Sequence, residues 1–449
     1  MIYLLLSFLL NFINFWFYIH HLNDLSNFFL YNFVDEVDFD NSIFDFVGFN
    51  LFGFSFSIEL FGFIFILLAY LVGIISFLSL DSQFFEKNFK YVFVCNMLVL
   101  IIYLFTICSD FLIFFILYEC LLIPSFLFVY NTSQYKKGIQ ASLYFLIWTQ
   151  LGSFLVLAAI AYIVNTVGGT SFFILKNFVF TTTESFFLYF LLFFGFGFKI
   201  PIWPFHFWLT KTHVEAPAGF SIFLSGFLVK SAVYGFYRLS NILGTDINTI
   251  FFTIFPVLGV IDSSFKMWAQ LDLKKLVAYC TVQEMSLLYV AFIWGDTNCF
   301  IGGVLLCITH ALLSSLMFFL VDCIQRRYKT RLVTELSGIL HRTPNLGISL
   351  ILMVILYSGL PGSLKFTSEF YIYSGLLESL PIISIIMLFS SNFFGILGFS
   401  KCWYNVIFGL SMKNQSNIGI DLTFKELLII VICLVSSFLF NFNLNVLFN

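Results

Sequence analysis

Residues 208–230 read WLTKTHVEAPAGFSIFLSGFLVK. A polar knot of Lys211, His213 and Glu215 runs through Pro217 into an apolar stretch that ends on a lysine, Lys230. At about 1.5 Å per residue, Lys230 stands roughly 20 Å along a helix started at Pro217, well inside a hydrocarbon core about 30 Å thick. A charge at such depth costs about 2.5–3.5 kcal/mol on translocon scales, so it is kept where it faces protein and finds partners.

The surroundings make the membrane reading unavoidable. The 449 residues are 60% hydrophobic and 10% charged, with a mean hydropathy of +1.00. Soluble domains carry roughly 25% charged residues. A membrane helix needs about 20 mostly apolar residues, and such runs recur along nearly the whole chain. They are continuous rather than alternating, which excludes a β-barrel. The fold class is an all-α polytopic membrane protein.

Hydropathy predicts about thirteen spans, near 1–20, 58–80, 91–108, 111–130, 139–166, 185–203, 216–238, 248–268, 274–294, 298–322, 345–366, 379–403 and 424–446. The first twenty residues lack the basic start and cleavage site of a signal peptide and the Arg/Ser-rich character of a transit peptide. They read as a retained helix in a chain made inside its own organelle or bacterium. The region 21–57 is acidic and carries no Lys or Arg. Basic residues collect in alternate loops, at Lys87 and Lys90, Lys136 and Lys137, Lys211, and densest in 322–344. With the N-terminus inside, all of these fall on the inner side.

Composition also narrows the function. The 67 phenylalanines against 8 prolines reflect an AT-rich genome, and the net charge of −3 with no basic stripe points to no nucleic-acid partner. Nine cysteines form no CxxC pair and lie mostly in apolar runs, as inert buried thiols do. His206, His213 and Glu215 do not have a metal-ligand spacing. GFGFK (195–199) lacks the strand–turn–helix setting of a dinucleotide fold, and no Walker loop or iron–sulfur cysteine set is present.

What remains is a series of ionisable residues inside spans. Glu119, nine residues after Asp110, is as central as Lys230. Such a pair holds both charges while together, and on separation each loses the partner that offsets its desolvation, so a proton can move. A static pair that locks two helices is the competing reading. Lys274 opens a span and by itself reads as interfacial. His310 is mid-span; it is either a packing residue or, as an imidazole, a proton relay. Glu369 follows a Pro361-Gly362 break, and breaks at membrane depth line wet or buried cavities. Lys365 lies at i−4 from Glu369 and pairs with it on a helix.

The stretch FKIPIWPFHFWLTKTHVEAPAGFSIFLSGFLVKSAVYGFYRL (198–239) resembles the antiporter-like membrane subunits of NADH:ubiquinone oxidoreductase, respiratory complex I. HVEAP is the mark of the chain 4 type rather than of its paralogues, chains 2 and 5. FILYECLLIP (115–124), LDLKKLVAY (271–279), THALLSSLMFFL (309–320) and GLPGSLKFTSEF (359–370) continue the resemblance in the same order.

The resemblance implies about 13–14 helices in two inverted repeats with broken helices. It assigns residues 1–110 to N-terminal helices and an acidic outer loop, 111–240 to a first repeat with the input half-channel, 241–404 to a second with the connection and exit, and 405–449 to a last helix. Its function is proton translocation coupled to quinone reduction elsewhere. The redox groups (FMN, iron–sulfur clusters and ubiquinone) belong to other subunits, with no cofactor or metal in this chain. The expected partners are other membrane-arm subunits, especially chains 2 and 5, and lipids, and the setting is the mitochondrial inner membrane or a bacterial plasma membrane. The alternatives are a subunit of a cation/proton antiporter or membrane-bound hydrogenase, or a passive membrane scaffold.

Carried over by position, Glu119 is the acidic partner and Lys230 the lysine of the input half. Lys274 is the connecting lysine, His310 the relay, and Glu369 the exit acid, with His213 and Glu215 in the signature. Four departures stand out. Glu284 follows Gln283 where a Ser-His pair is usual, Lys365 replaces a neutral residue, and no proline precedes Lys211. The acidic 21–57 region replaces a usual second helix.

Overall fold

The computed structural model describes residues 45–51, 54–79, 89–132, 136–243, 249–409 and 421–442. The expected first helix, and most of the acidic segment where a second helix is expected to be missing, lie outside them. Residues at the end of that segment form an antiparallel hairpin, β1 (Asp45–Leu51) and β2 (Phe54–Glu59), with a bulge between Phe46 and Gly48.

Helices make up the rest. The first four are α1 (Leu60–Leu78), α2 (Phe89–Ile107), α3 (Phe111–Cys120) and α4 (Leu122–Thr132), followed by the long α5 (Lys136–Val167), the short α6 (Phe172–Asn177) and α7 (Thr182–Gly197). Then come α8 (Phe207–Glu215), α9 (Ala218–Phe223), α10 (Val229–Ser240), α11 (Ile250–Trp268), α12 (Leu273–Trp294) and α13 (Thr297–Tyr328). The last are α14 (Ile339–Arg342), α15 (Pro344–Tyr357), α16 (Leu364–Ser379), α17 (Pro381–Leu388), α18 (Ile396–Phe408) and α19 (Phe424–Phe442). π-Helical turns at Leu224–Leu228 and Phe389–Gly395 join α9 to α10 and α17 to α18.

Among the described residues, eight helical stretches are long and apolar enough to cross a membrane, and Val94–Ile107, Thr182–Gly197 and Pro344–Tyr357 are shorter apolar helices. Among the elements absent from the hydropathy reading are α8 and α16. Each is the polar second half of a helix broken near mid-membrane, at 198–206 and 358–363. The second break is built on Gly359 and Gly362, whose φ of 73° and 93° disfavours any residue with a Cβ.

The ends of the bundle are told apart by their chemistry. The arginine-rich last turn of α13 and the segment after it stitch one end. Arg326 donates to Ser79 O at 2.7 Å, Arg331 to Val214 O at 2.9 Å and to Asp272 at 2.9 Å, and Arg327 pairs with Glu426 of α19 at 2.5 Å. α9 leaves this end, and about 30 Å further along its helix Arg238 donates to Cys108 O at the other.

The element order recurs with its sense reversed. Asp110 caps α3, and Asp272 caps α12, each accepting from the backbone N–H two residues on at 2.9 Å. Each aspartate also bridges to the segment that follows a 32-residue helix: Asp110 to Ser171 after α5, Asp272 to Leu332 after α13. A broken helix and then a π-interrupted helix complete both series. Because Asp110 and Asp272 lie at opposite ends, the series run antiparallel, as the inverted-repeat expectation requires.

α9–α10, α12 and α13 are buried along their membrane-crossing length, whereas α5 presents Ile147, Leu151, Phe154 and Leu157 outward. In water that face would be a liability; in lipid it needs no cover. Inside, α13 and α16 approach closely at Gly302, where a Cβ would stand 2.7 Å from Ile372 N and 2.9 Å from Ser368 O. Small residues permit such approach in membranes. Gly302→Val is expected to lower stability by about 1–3 kcal/mol through overpacking, read as a lower melting temperature of the purified assembly. An unchanged melting temperature would contradict the close packing of α16.

A buried acid, lysine and histidine seam

Lys230 lies at the start of α10, just past the π turn, and is fully buried. Its Nζ donates to Ser225 O at 2.7 Å and lies 2.7 Å from His310 Nδ1 on α13. The π turn places the Ser225 carbonyl toward the ammonium, a common use of π bulges at functional positions. Ser225 Oγ donates to Ser314 Oγ at 3.1 Å, one helical turn beyond His310, so both α10 and α13 are fixed around the pair. The Nε2 of His310 has no hydrogen-bond partner among the described residues.

The expected ion pair between Glu119 and Lys230 is not formed. Glu119, on α3, accepts from Gln150 Nε2 of α5 at 2.7 Å. The lysine that feels its charge is Lys199, buried in the break after α7 with its ammonium 3.7 Å from the centre of the Tyr118 ring. Lys199 is the functional candidate that sequence reasoning missed. Its signal lay in plain view: the only cation of GFGFK (195–199), two residues before Pro201. A lysine beside a helix-breaking proline at membrane depth is the signature of a polar break.

Lys274 does not stand between Lys230 and His310. It occupies the first turn of α12 at the arginine-stitched end, where Nζ donates to Ala216 O at 2.5 Å among the charges of Asp272, Glu215, Asp322 and Arg331. Glu215 is half-buried at the end of α8. His213 is fully buried, stacked on Phe318 with ring centres 4.6 Å apart, and neither ring nitrogen has a hydrogen-bond partner. Electrostatically it feels Lys274 on one side and acts on His310 on the other. His206 belongs elsewhere, 3.2 Å from Asp262 and 3.1 Å from Lys266.

In the second series, Glu369 sits on α16 and Lys365 one turn before it, with Nζ 3.7 Å from Glu369 Oε1. Lys365 lies closer to Glu284 of α12, at 2.9 Å, and its ammonium is 3.5 Å from the centre of the Tyr357 ring. Tyr357 in turn donates to Gln283 Oε1 at 2.8 Å, and Tyr373 shares a 2.7 Å hydrogen bond with Ser391 in the second π turn. Chemically, the seam can hold, exchange and pass protons; it offers no nucleophile activated by a base.

Removing Gln150 tests this geometry. Gln150→Leu takes away the only hydrogen-bond donor described for the Glu119 carboxylate. It is expected to lower stability by about 1.5–3 kcal/mol, the range for a hydrogen bond to a charged group. Thermal unfolding of the solubilised assembly measures it, and no change would mean that Glu119 does not depend on that contact.

Residues 108–395 match the family described as NADH:quinone oxidoreductase/Mrp antiporter, TM. The NADH-ubiquinone oxidoreductase chain 4 of Paramecium tetraurelia is 46% identical over 84% of this chain and 80% of its own length. That of Marchantia polymorpha is 30% identical over 79% and 72%. Two solved structures share the fold: respiratory complex I from Thermus thermophilus (TM-score 0.77, 20% identity, 89% of this chain and 85% of that one) and the Mrp complex from Dietzia sp. (TM-score 0.78, 14% identity, 88% and 82%).

Proposed function

The chain belongs to the NADH:quinone oxidoreductase/Mrp antiporter membrane family, with the chain 4 subunits of NADH-ubiquinone oxidoreductase as its relatives, and on that premise we propose the route by which it translocates protons. The carrying observation is the 2.7 Å contact between the buried Lys230 ammonium and His310, with no carboxylate among the described residues bonded to either. A proton held between an amine and an imidazole is not locked by an opposite charge, so a change in nearby charge moves it.

Glu119 and Lys199 form the first station, coupled through charge and the Tyr118 ring rather than by direct contact. Lys230 and His310 form the central one. Protons arrive from the arginine-stitched end by way of Lys274 and the unpartnered imidazole of His213. They leave by way of Glu369, beside the second break. Separation of Glu119 from Lys199 exposes Lys230 to a changed field, and the proton held there is released toward Glu369.

In this reading quinone reduction takes place in other subunits, which also hold the flavin, the iron–sulfur clusters and ubiquinone. Chains 2 and 5 and lipid surround this one in the mitochondrial inner membrane. The Phe154 face of α5 is apolar enough to meet either.

Lys199→Met and Lys230→Met are each expected to reduce NADH-driven proton pumping by at least about tenfold in vesicles, the low side of what a positioned acid–base group contributes. Assembly on a native gel should persist. Pumping at the wild-type ratio of protons to NADH in both variants would overturn the proposal.

A further inference from the structure

Glu284 and Lys365 each depart from the residue expected at their position, and in the structure they meet. Lys365 Nζ lies 2.9 Å from Glu284 Oε1, and both side chains are about 95% buried, with relative exposures of 4% and 5%. They are 81 residues apart in sequence. A buried ion pair is weak evidence for stability, because desolvation offsets much of the attraction. Its occurrence here calls for a role.

The inverted series supplies one. α3 and α12 are the helices capped by the bridging aspartates, and each carries a buried or half-buried glutamate: Glu119 nine residues after its cap, Glu284 twelve after its own. Each series then places a buried lysine at its helix break, Lys199 in the first and Lys365 in the second. Each lysine lies over a tyrosine ring, at 3.7 Å for Tyr118 and 3.5 Å for Tyr357. Resting on the proton route proposed above, we propose that Glu284 and Lys365 form a second acid–lysine relay, counterpart to Glu119 and Lys199, which passes the proton from the Lys230–His310 pair to Glu369.

Two further observations point to transfer rather than to a lock. Glu284 Oε2 is buried and has no hydrogen-bond partner among the described residues, so one oxygen of the carboxylate is open to a proton. Glu284, Lys365 and Glu369 together carry two carboxylates against one ammonium. A proton resting on Glu369 makes the group neutral, and one proton more gives it a positive charge that expelling a proton relieves.

The step balances as a proton transfer with no change in oxidation state. The Lys230 ammonium loses a proton by way of His310, and Glu284 Oε2 gains it. The neutral acid no longer holds Lys365, whose ammonium shifts onto Glu369 and expels the proton resting there toward the exit. Glu284 then ionises, its proton passes to Glu369, and Lys365 returns to Glu284. Lys365 keeps its own proton throughout.

The test uses the assembled complex in inverted membrane vesicles, with NADH oxidation, dye-reported acidification and complex abundance measured together. Glu284→Gln/Lys365→Met removes both members of the 2.9 Å pair together, so neither is left facing a missing partner. It is expected to assemble and to pump at least about tenfold less than wild type. Wild-type pumping in that variant overturns the relay.

Glu284→Gln alone leaves Lys365 paired with Glu369 and decides the matter if the double variant fails to assemble. Loss of pumping at normal complex abundance supports the relay, and unchanged pumping overturns it. Lys230→Met separates the two levels of the argument. If it pumps normally, the route itself fails; if it loses pumping while Glu284→Gln/Lys365→Met does not, only the relay fails.

Discussion

A lysine ammonium in the middle of a membrane protein, 2.7 Å from an imidazole and bonded to no carboxylate among the described residues, is the constraint around which this structure is arranged. It can be kept only where water and lipid are excluded and polar atoms are brought to it. That requirement explains why α10, α12 and α13 are buried all round. It also explains why the bundle spends its outer helices, α5 and α11 among them, on shielding. The π turn at Leu224–Leu228 belongs to the same economy, since it presents the Ser225 carbonyl to the charge without breaking the helix.

The two broken helices serve the same end by another route. An intact α-helix satisfies its own backbone groups and has none to offer a charge. Breaking α7 from α8 and α15 from α16 provides polar corners at depth, and each corner holds a buried lysine over a tyrosine. The inverted order of the two series turns these corners toward opposite ends of the bundle.

Much of this was legible in the sequence, and what was not has physical causes. Depth in an apolar run singled out Glu119, Lys230 and His310, because charge inside hydrocarbon is conspicuous by its cost. The spans of α1, α11, α12 and α13 were visible as hydropathy, whereas α8 and α16 were not, being polar and held by the helices they pack on, α5 and α12 for α8 and α13 for α16. Which acid belongs to which lysine was hidden. Depth alone paired Glu119 with Lys230, but the break after α7 delivers Lys199 to Glu119, and the π turn turns Lys230 toward His310. The i, i+4 spacing revealed Lys365 with Glu369, and could not reveal Glu284, which reaches Lys365 only through the packing of α12 near α16. Lys274 looked interfacial by sequence alone, and the arginine-stitched end is where it lies.

The claim at the centre is that carboxyl groups of this chain change protonation while the complex turns over. Infrared difference spectroscopy of the intact complex, resting against NADH-driven, measures that directly in the carbonyl-stretch region of protonated carboxylic acids. The account predicts a band that shifts in heavy water and is lost when Glu369 is replaced by Gln. A turnover spectrum in which Glu369→Gln removes nothing would contradict it.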